Sequence, residues 1–224
     1  MKRDALARRA FLGSPLVAIG GLKAAAGSGG AGAPRGQEPK LAGEPRLRRD
    51  FVKDGRSRRV VFVAHCVLNQ NARHYHCAAF PALMKPLVAA MGERAVGMVQ
   101  LPCPELMALG LGRDRNLPPA DSIRDGLELG ESQTRLHRLI DQVIYQIKEY
   151  QWQGFQVAGI LGIDTSPSCG VKETNYPKTG RGPGEGVFIR LLRQRLQAEK
   201  LDIGIKGIDD LHQEDAIAWV TERL

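Results

Sequence analysis

Aromatic residues are scarce in this chain, and their scarcity limits what the chain is expected to bind. Phe, Trp and Tyr make up 5% of the 224 residues, and no basic stripe with interleaved aromatics occurs, although the formal net charge is +8. Five Lys or Arg against one Asp place +4 of that charge within residues 1–33, and the rest is spread along the chain. We therefore expect a mildly basic surface and no nucleic-acid partner.

The sequence also lacks an apolar run of the roughly 20 residues that a membrane-spanning helix requires. The modestly apolar residues 11–22 follow Arg8-Arg9-Ala10-Phe11-Leu12 and precede three alanines at 24–26. This pattern predicts a twin-arginine signal over residues 1–33, with export to the periplasm if the signal is used and a cytoplasmic location otherwise. Lys23 is unusual in such a signal. An unstructured basic tail and a misassigned start codon are the alternatives.

Hydrophobic periodicity is missing from residues 34–50, which predict a disordered linker, whereas residues 51–224 predict one folded domain. Apolar runs predict strands at 59–64, 96–101, 155–163 and 201–208. Apolar residues at helical spacing predict helices at 78–91, 131–150, 187–196 and 214–223. This alternation predicts a single Rossmann-like α/β domain with a mostly parallel sheet and helices on both faces.

The four cysteines show no Cys-x-x-Cys spacing, but three of them share a position in the predicted topology. Cys66, Cys103 and Cys169 each follow the last apolar residue of a predicted strand. Since parallel strands end at one edge of a sheet, we expect the three thiols to converge there. Each alone would be an ordinary buried thiol. Together they suit a catalytic metal or an iron–sulfur cluster better than disulfides or a structural zinc site.

Three further features of the sequence leave alternatives open. His65 beside Cys66 could form a thiolate–imidazole pair, which would make the protein a metal-free cysteine enzyme. Cys77 could be a fourth ligand, although packing within the first helix is favoured. The glycine-rich residues 180–186 lack the Lys-Ser ending of a nucleotide triphosphate site, but they could bring helix N–H groups to an anionic ligand.

The residues at these strand ends resemble the 2-thiouracil desulfidase (TudS-like) family over roughly residues 58–210. The resemblance is carried by Cys66, by Cys103-Pro104-Glu105 and by Ser166-Pro167-Ser168-Cys169-Gly170. Members of that family are small α/β domains that hold a 4Fe–4S cluster on three cysteines. Sulfur is taken from a thiolated substrate at the iron that no protein group binds. The resemblance therefore implies that Cys66, Cys103 and Cys169 are the cluster ligands.

The resemblance also implies roles for polar residues near these cysteines. Glu105 and Ser166 would be catalytic, through proton transfer and substrate orientation. Ser168, Asn69 and Lys172 would bind the substrate. Each has an ordinary structural alternative: Glu105 as a helix N-terminal carboxylate, the serines as caps of the turn, and Asn69 and Lys172 as solvated loop residues.

Taken as a whole, the resemblance implies an iron–sulfur-dependent desulfidase that acts on a small thiolated molecule such as a thio-nucleobase. Three departures leave the substrate open: His65-Cys66-Val67-Leu68-Asn69 replaces a Cys-Leu-Leu-Gly-type segment, the insert at 110–124 differs, and the family is generally cytoplasmic. A metal-free cysteine enzyme and a non-catalytic iron–sulfur sensor or sulfur-handling protein are the alternative functions. The sequence does not indicate an oligomeric state.

Overall fold

The computed structural model describes residues 54–113 and 123–224. The predicted signal over 1–33 and the predicted linker over 34–50 lie outside the described residues and stay predictions. Residues Asp54–Leu224 group into one compact unit. Within the described residues, no helix has both the length and the apolar character needed to cross a membrane.

The described residues alternate between strands and helices for most of their length. In chain order the elements are β1 (Arg59–Val63), α1 (His65–Leu68), a 3-10 turn (Gln70–Ala72), α2 (Lys85–Glu93), β2 (Gly97–Gln100), α3 (Pro104–Leu109), α4 (Ile123–Glu128), α5 (Gly130–Trp152), β3 (Gln156–Ile163), β4 (Glu173–Tyr176), β5 (Gly180–Pro183), α6 (Val187–Ala198), β6 (Ile205–Ile208) and α7 (Glu214–Thr221).

Four of these strands form one parallel sheet in the order β2-β1-β3-β6. The strands are mostly apolar because both faces of the sheet are covered. On β1, Val61 and Val63 belong to one buried cluster, whereas Phe62 belongs to the other. Residues of α5 and α6 pack in the cluster with Phe62, and residues of α2 and α7 pack in the cluster with Val61. The predicted α/β domain with a parallel sheet and helices on both faces is therefore confirmed.

The helix predicted at 78–91 is wrong in its first half, because α2 begins only at Lys85. Pro86 lies in the first turn of α2, where the missing N–H of proline costs no helical hydrogen bond. Before α2, two backbone hydrogen bonds tie the chain to α1 and the turn after it: the N–H of Met84 donates to Val67 and that of Gln70 to Ala82. Residues 78–84 therefore form turns rather than a helix.

The antiparallel hairpin of β4 and β5 is absent from the sequence prediction, which left residues 173–183 without a strand. The composition explains the omission, since β5 reads Gly-Arg-Gly-Pro and has no apolar alternation. The N–H of Thr165 donates to the carbonyl of Glu173 at 3.0 Å, and the Thr174 hydroxyl donates to the carbonyl of Ser166 at 3.0 Å. The hairpin is thus fixed to the loop after β3.

Candidate functional site

A cavity of about 700 Å³ lies at the carboxyl edge of the parallel sheet. Its lining includes residues that follow each of the four strands: Cys66 after β1, Cys103 after β2, Cys169 after β3 and Asp210 after β6. This is the edge at which open parallel sheets bind ligands, and the volume is within the usual range of small-molecule sites. The structure thus brings the three predicted cysteine ligands to one cavity.

Cys66 is held at the cavity by the helical turns that follow β1. The polypeptide passes from β1 directly into α1, and Cys66 is the second residue of that helix. Gln70 is almost fully buried and donates through Nε2 to the Cys66 carbonyl at 2.7 Å. Its Oε1 accepts from the N–H of Ala79 at 3.1 Å. This buried amide therefore joins the cysteine turn to the segment before α2.

Cys103 is the N-cap residue of α3, and its sulfur accepts two hydrogen bonds. The backbone N–H of Leu106 and Nη2 of Arg113 each lie 3.5 Å from the sulfur. Such hydrogen bonds are typical of the groups that orient and tune metal-bound thiolates. Burial raises the pKa of Cys103, and the Leu106 N–H and Arg113 act in the opposite direction.

Cys169 is held by a tight turn after β3. The Ser166 hydroxyl accepts from the N–H of Ser168 at 3.3 Å and from that of Cys169 at 3.0 Å, and the N–H of Gly170 donates to the Ser166 carbonyl at 3.0 Å. Ser166 therefore shapes the turn that presents the cysteine. Burial raises the pKa of Cys169 well above its ordinary value, and the nearby thiols of Cys103 and Cys66 raise it further.

Glu105 joins the second strand end to the third. It lies in the first turn of α3 and is 7% exposed. Its Oε1 accepts from the Ser168 hydroxyl at 2.7 Å, and the same hydroxyl lies 3.6 Å from the sulfur of Cys169. Glu105 is thus a helix N-terminal carboxylate, and it is also part of the cavity wall.

Arg113 is a site residue that the sequence analysis missed. It is 1% exposed, and its Nε lies 2.6 Å from Oε2 of Glu105. The Nε–H bond does not point along this line, so the contact is an ion pair rather than an aligned hydrogen bond. Nη2 donates to the carbonyl of Ala72 at 2.6 Å as well as to Cys103. No sequence signal distinguished Arg113, since it lies in the polar insert after α3.

A second ion pair that the site prediction left out lies beside Cys66. Arg73 binds Asp210 through two hydrogen bonds of 2.6 and 2.9 Å. Arg73 also contacts the Cys66 thiol and works against the effect of burial on its pKa. Asp210 follows β6, so the strand-end argument applied to the cysteines would have found it.

The remaining predicted residues divide into three groups. Ser166 and Ser168 line the cavity with Glu105. Asn69 and Lys172 are exposed and are not part of that lining, so their substrate-binding role stays a prediction. Cys77, the possible fourth ligand, lines the cavity but is exposed.

In the part of the chain that the structure describes, His65 and Cys66 do not form the hydrogen-bonded thiolate–imidazole pair of a cysteine nucleophile. No hydrogen bond joins the imidazole to the thiol there, although both residues line the cavity. Burial raises the pKa of Cys66 to about 11, and Arg73 offsets this only in part. Burial and the charge of Arg113 lower the pKa of His65. A thiol in these surroundings keeps its proton at neutral pH and is a weak nucleophile.

The glycine-rich segment before α6 does not present its helix N–H groups to a ligand. The N–H of Val187 donates to the Pro167 carbonyl at 3.0 Å, and those of Phe188 and Ile189 donate to the Ser168 carbonyl at 3.0 and 3.3 Å. These bonds fix the cysteine turn to the beginning of α6. The anion site considered at these N–H groups is therefore wrong.

Gly186 allows that close contact, and we predict that Gly186→Ala destabilises the protein. An added Cβ would lie 2.3 Å from the carbonyl carbon of Ser168, a backbone atom that cannot turn aside. We expect a loss of about 1–3 kcal/mol in the free energy of unfolding, measured by urea denaturation. The control is Gly92→Ala in α2, where a Cβ meets nothing within 4 Å and a gain of about 0.5–1 kcal/mol is expected. Equal effects of the two changes would contradict the packing argument.

The donor set at the cavity consists of three thiols, and a metal centre sets requirements on their spacing. Within residues 54–113 and 123–224, no group of three or more His, Cys, Asp or Glu side chains is close enough together to hold a metal ion. A zinc ion would require sulfurs about 3.8 Å apart, given a Zn–S bond of about 2.3 Å. In an iron–sulfur cluster each cysteine binds a different iron, so the sulfurs stand farther apart. Three thiols in one cavity, one of them with two hydrogen-bond donors at its sulfur, suit a cluster in chemistry.

Comparisons with known proteins add a distant relative and a distant structural neighbour. No model of a known protein family matches the chain. An uncharacterized protein of Methanocaldococcus jannaschii is 25% identical over 154 residues, which cover 69% of this chain and 86% of that protein. Among solved structures, the [4Fe-4S]-dependent thiouracil desulfidase TudS is similar with a TM-score of 0.45 and 20% identity, covering 74% of this chain and 99% of that one.

Proposed function

We propose that this protein is an iron–sulfur-dependent desulfidase that removes sulfur from a small thiolated heterocycle, such as a thio-nucleobase. The observation that carries the proposal is the meeting of Cys66, Cys103 and Cys169 at one cavity. Glu105 and Ser168 are bonded to each other beside the third cysteine. The motifs that contain these residues are those in which the sequence resembles the desulfidase family.

The three cysteines would hold a 4Fe–4S cluster by their sulfurs. When bound, such a cluster supplies an iron without a protein ligand, which acts as a Lewis acid with an affinity for sulfur. The hydrogen bonds to the sulfur of Cys103 come from the Leu106 N–H and Arg113, which would orient this ligand.

The chain's own side chains would handle the water and the protons. Exchange of sulfur for oxygen converts a C=S group and one water into a C=O group and hydrogen sulfide, with no net oxidation. A C–O bond forms, the C–S bond breaks, and both protons of the water leave with the sulfur. The Glu105 carboxylate is held as a hydrogen-bond acceptor by Ser168, so it can take a proton from the attacking water and return it to the departing sulfur.

Measurement of iron and of sulfide release tests the proposal directly. The full chain, purified and reconstituted without oxygen, is expected to bind about four irons and to release sulfide from 2-thiouracil or a related thio-heterocycle. Activity in iron-free protein would instead support the cysteine nucleophile. Bound iron without sulfide release from any thio-heterocycle would overturn the desulfidase proposal and favour a sensor or sulfur carrier.

Replacement of one ligand tests the assignment of the cysteines. In Cys169→Ala we expect the iron content after reconstitution to fall by more than about half, since one of three protein bonds to the cluster is lost. Cys77→Ala is the matched control, because Cys77 is exposed at the same cavity, and it should keep the full iron content. Full iron content in Cys169→Ala would refute the assignment. Loss of iron in Cys77→Ala would instead identify a fourth ligand.

A further inference from the structure

A threonine beside the turn that carries Cys169 has a backbone conformation that is unusual for its residue type. Thr165 directly precedes Ser166 in the loop after β3, and its φ is 70°. This value lies in the left-handed region, which glycine enters readily and which a β-branched residue enters only at a cost. Thr165 is half-buried and lines the same cavity as the thiols.

The other non-glycine residues with a positive φ in the described part of the chain differ from Thr165. They are exposed, they do not line the cavity and none of them is β-branched: Arg58, His76, Ala95 and Lys200. Glycine at position 165 would hold the same backbone conformation without the cost. A strained residue that persists in a cavity wall indicates a functional constraint on its side chain.

Backbone groups and the preceding residue hold Thr165 in this conformation. The N–H of Thr165 donates to the carbonyl of Glu173 at 3.0 Å, and the N–H of Asp164 donates to that of Ile208 at 2.9 Å. The Asp164 carboxylate also accepts from the N–H of Lys172 at 3.0 Å. None of these bonds uses the threonine side chain, so a glycine at 165 could make the same bonds. The conformation of the loop therefore does not require the Thr165 hydroxyl.

The Thr165 hydroxyl also differs from the neighbouring hydroxyls in its hydrogen bonding. The Ser168 hydroxyl donates to Glu105 at 2.7 Å, and the Thr174 hydroxyl donates to the carbonyl of Ser166 at 3.0 Å. The Thr165 hydroxyl forms no hydrogen bond with any residue that the structure describes. A hydroxyl both donates and accepts, so it suits either the N–H or the C=O group of a ring amide. A few polar groups of this kind fix the orientation of a ligand in a mostly apolar cavity.

We propose that the Thr165 hydroxyl is a specificity-determining contact, which binds the N–H and C=O edge of the heterocycle next to its thiocarbonyl group. Thr165 and Cys169 belong to one loop after β3, so both can contact a single ring. This inference builds on the proposed desulfidase function and specifies which heterocycles the same site accepts. Rings that carry an amide group beside the carbon–sulfur bond would be preferred over rings that lack it.

Binding of two sulfur-free rings tests this inference separately from turnover. Uracil has the ring amide of 2-thiouracil, whereas pyrimidin-2-one lacks the second carbonyl and the N–H beside it. By calorimetry on the full reconstituted chain without oxygen, we expect uracil to bind about 3- to 10-fold more tightly than pyrimidin-2-one. In Thr165→Val, which replaces the hydroxyl by a methyl group, the ratio of the two dissociation constants is expected to fall to about 1. Thr165→Ser is the matched control, because it keeps the hydroxyl and should keep the ratio.

A stability measurement distinguishes this role from a role in folding. Thr165→Gly removes the hydroxyl and the backbone strain together, so we expect a higher urea midpoint of unfolding and a ratio of about 1. Ala95→Gly, at an exposed position with a φ of 53°, should also raise the midpoint but keep the ratio. A lower midpoint in Thr165→Gly would overturn the inference, because the side chain would then be retained for packing.

The binding results have equally definite outcomes. Equal affinity of the wild type for the two rings, absence of uracil binding, or an unchanged ratio in Thr165→Val would overturn the inference. If Thr165→Val does not fold, Thr165→Gly provides the ratio without the hydroxyl. Sulfide release from 2-thiouracil is measured separately, so a preference for uracil that depends on Thr165 without sulfide release counts against the proposed function alone.

Discussion

The Glu105→Gln variant is expected to release sulfide about 100- to 10,000-fold more slowly than the wild-type chain. Glutamine keeps the size and hydrogen-bonding shape of the side chain, but it cannot take a proton from water at neutral pH. The bond from the Ser168 hydroxyl can still form to the amide oxygen. The initial rate of sulfide release, divided by the bound iron, measures the effect on turnover independently of cluster content.

Two further variants separate a role in proton transfer from a role in folding. Glu105→Asp keeps the charge on a shorter side chain and is expected to retain more activity than Glu105→Gln. Glu128→Gln is the control. It removes a half-exposed carboxylate of α4 that lies 2.8 Å from Arg190 of α6, and it should leave the rate unchanged. If Glu105→Gln kept more than about a tenth of the wild-type rate per iron, general acid–base catalysis by Glu105 would be ruled out.

The Arg113→Met variant is expected to lose about 3–5 kcal/mol of unfolding free energy, because it leaves the Glu105 carboxylate buried without its cation. The ion pair has 1% and 9% exposed side chains, so water on the cavity side replaces the lost partner only in part. The carbonyl of Ala72 and the sulfur of Cys103 would each lose a hydrogen bond as well. Urea denaturation followed by circular dichroism measures the change.

The double variant Arg113→Met/Glu105→Gln identifies the source of this loss. If an unpaired buried charge is responsible, the double variant should be more stable than Arg113→Met alone. Arg190→Met removes the arginine of the surface pair with Glu128 and should change the stability by less than about 1 kcal/mol. An equal loss in Arg113→Met and Arg190→Met would contradict the argument. If Arg113→Met is insoluble, Arg113→Lys gives the measurable comparison, with an intermediate loss.

The two variants are linked through one carboxylate. Arg113 holds Oε2 of Glu105, and the Ser168 hydroxyl holds Oε1. Through these two contacts, the Glu105 carboxylate connects Arg113 and α3 to the turn that carries Cys169. We expect Arg113→Lys to lower the rate of sulfide release as well as the stability, because a single ammonium group cannot reproduce the contacts of the guanidinium fork.

Much of the sheet was predictable because a parallel strand covered on both faces reads as a continuous apolar run. Residues 156–163 show this directly, since six of the eight residues of β3 are buried. The helix at 78–91 was predicted too long, because apolar spacing resembled a helix where backbone bonds to α1 hold turns instead. The hairpin gave no signal in sequence, because its β5 strand is stabilised by pairing with β4 rather than by its own composition.

By itself, the sequence determined that the three cysteines follow strands of a parallel sheet, because the apolar run of each strand and its alternation with helices can be read along the chain. Only the tertiary structure decided which charged groups meet those cysteines. Arg113 reaches Glu105 from a polar insert, Arg73 reaches Asp210 across 137 positions, and Arg124 reaches the cavity by packing on the hairpin. Such pairs depend on the distance in space between charged side chains, and that distance leaves no periodic trace in the order of the residues.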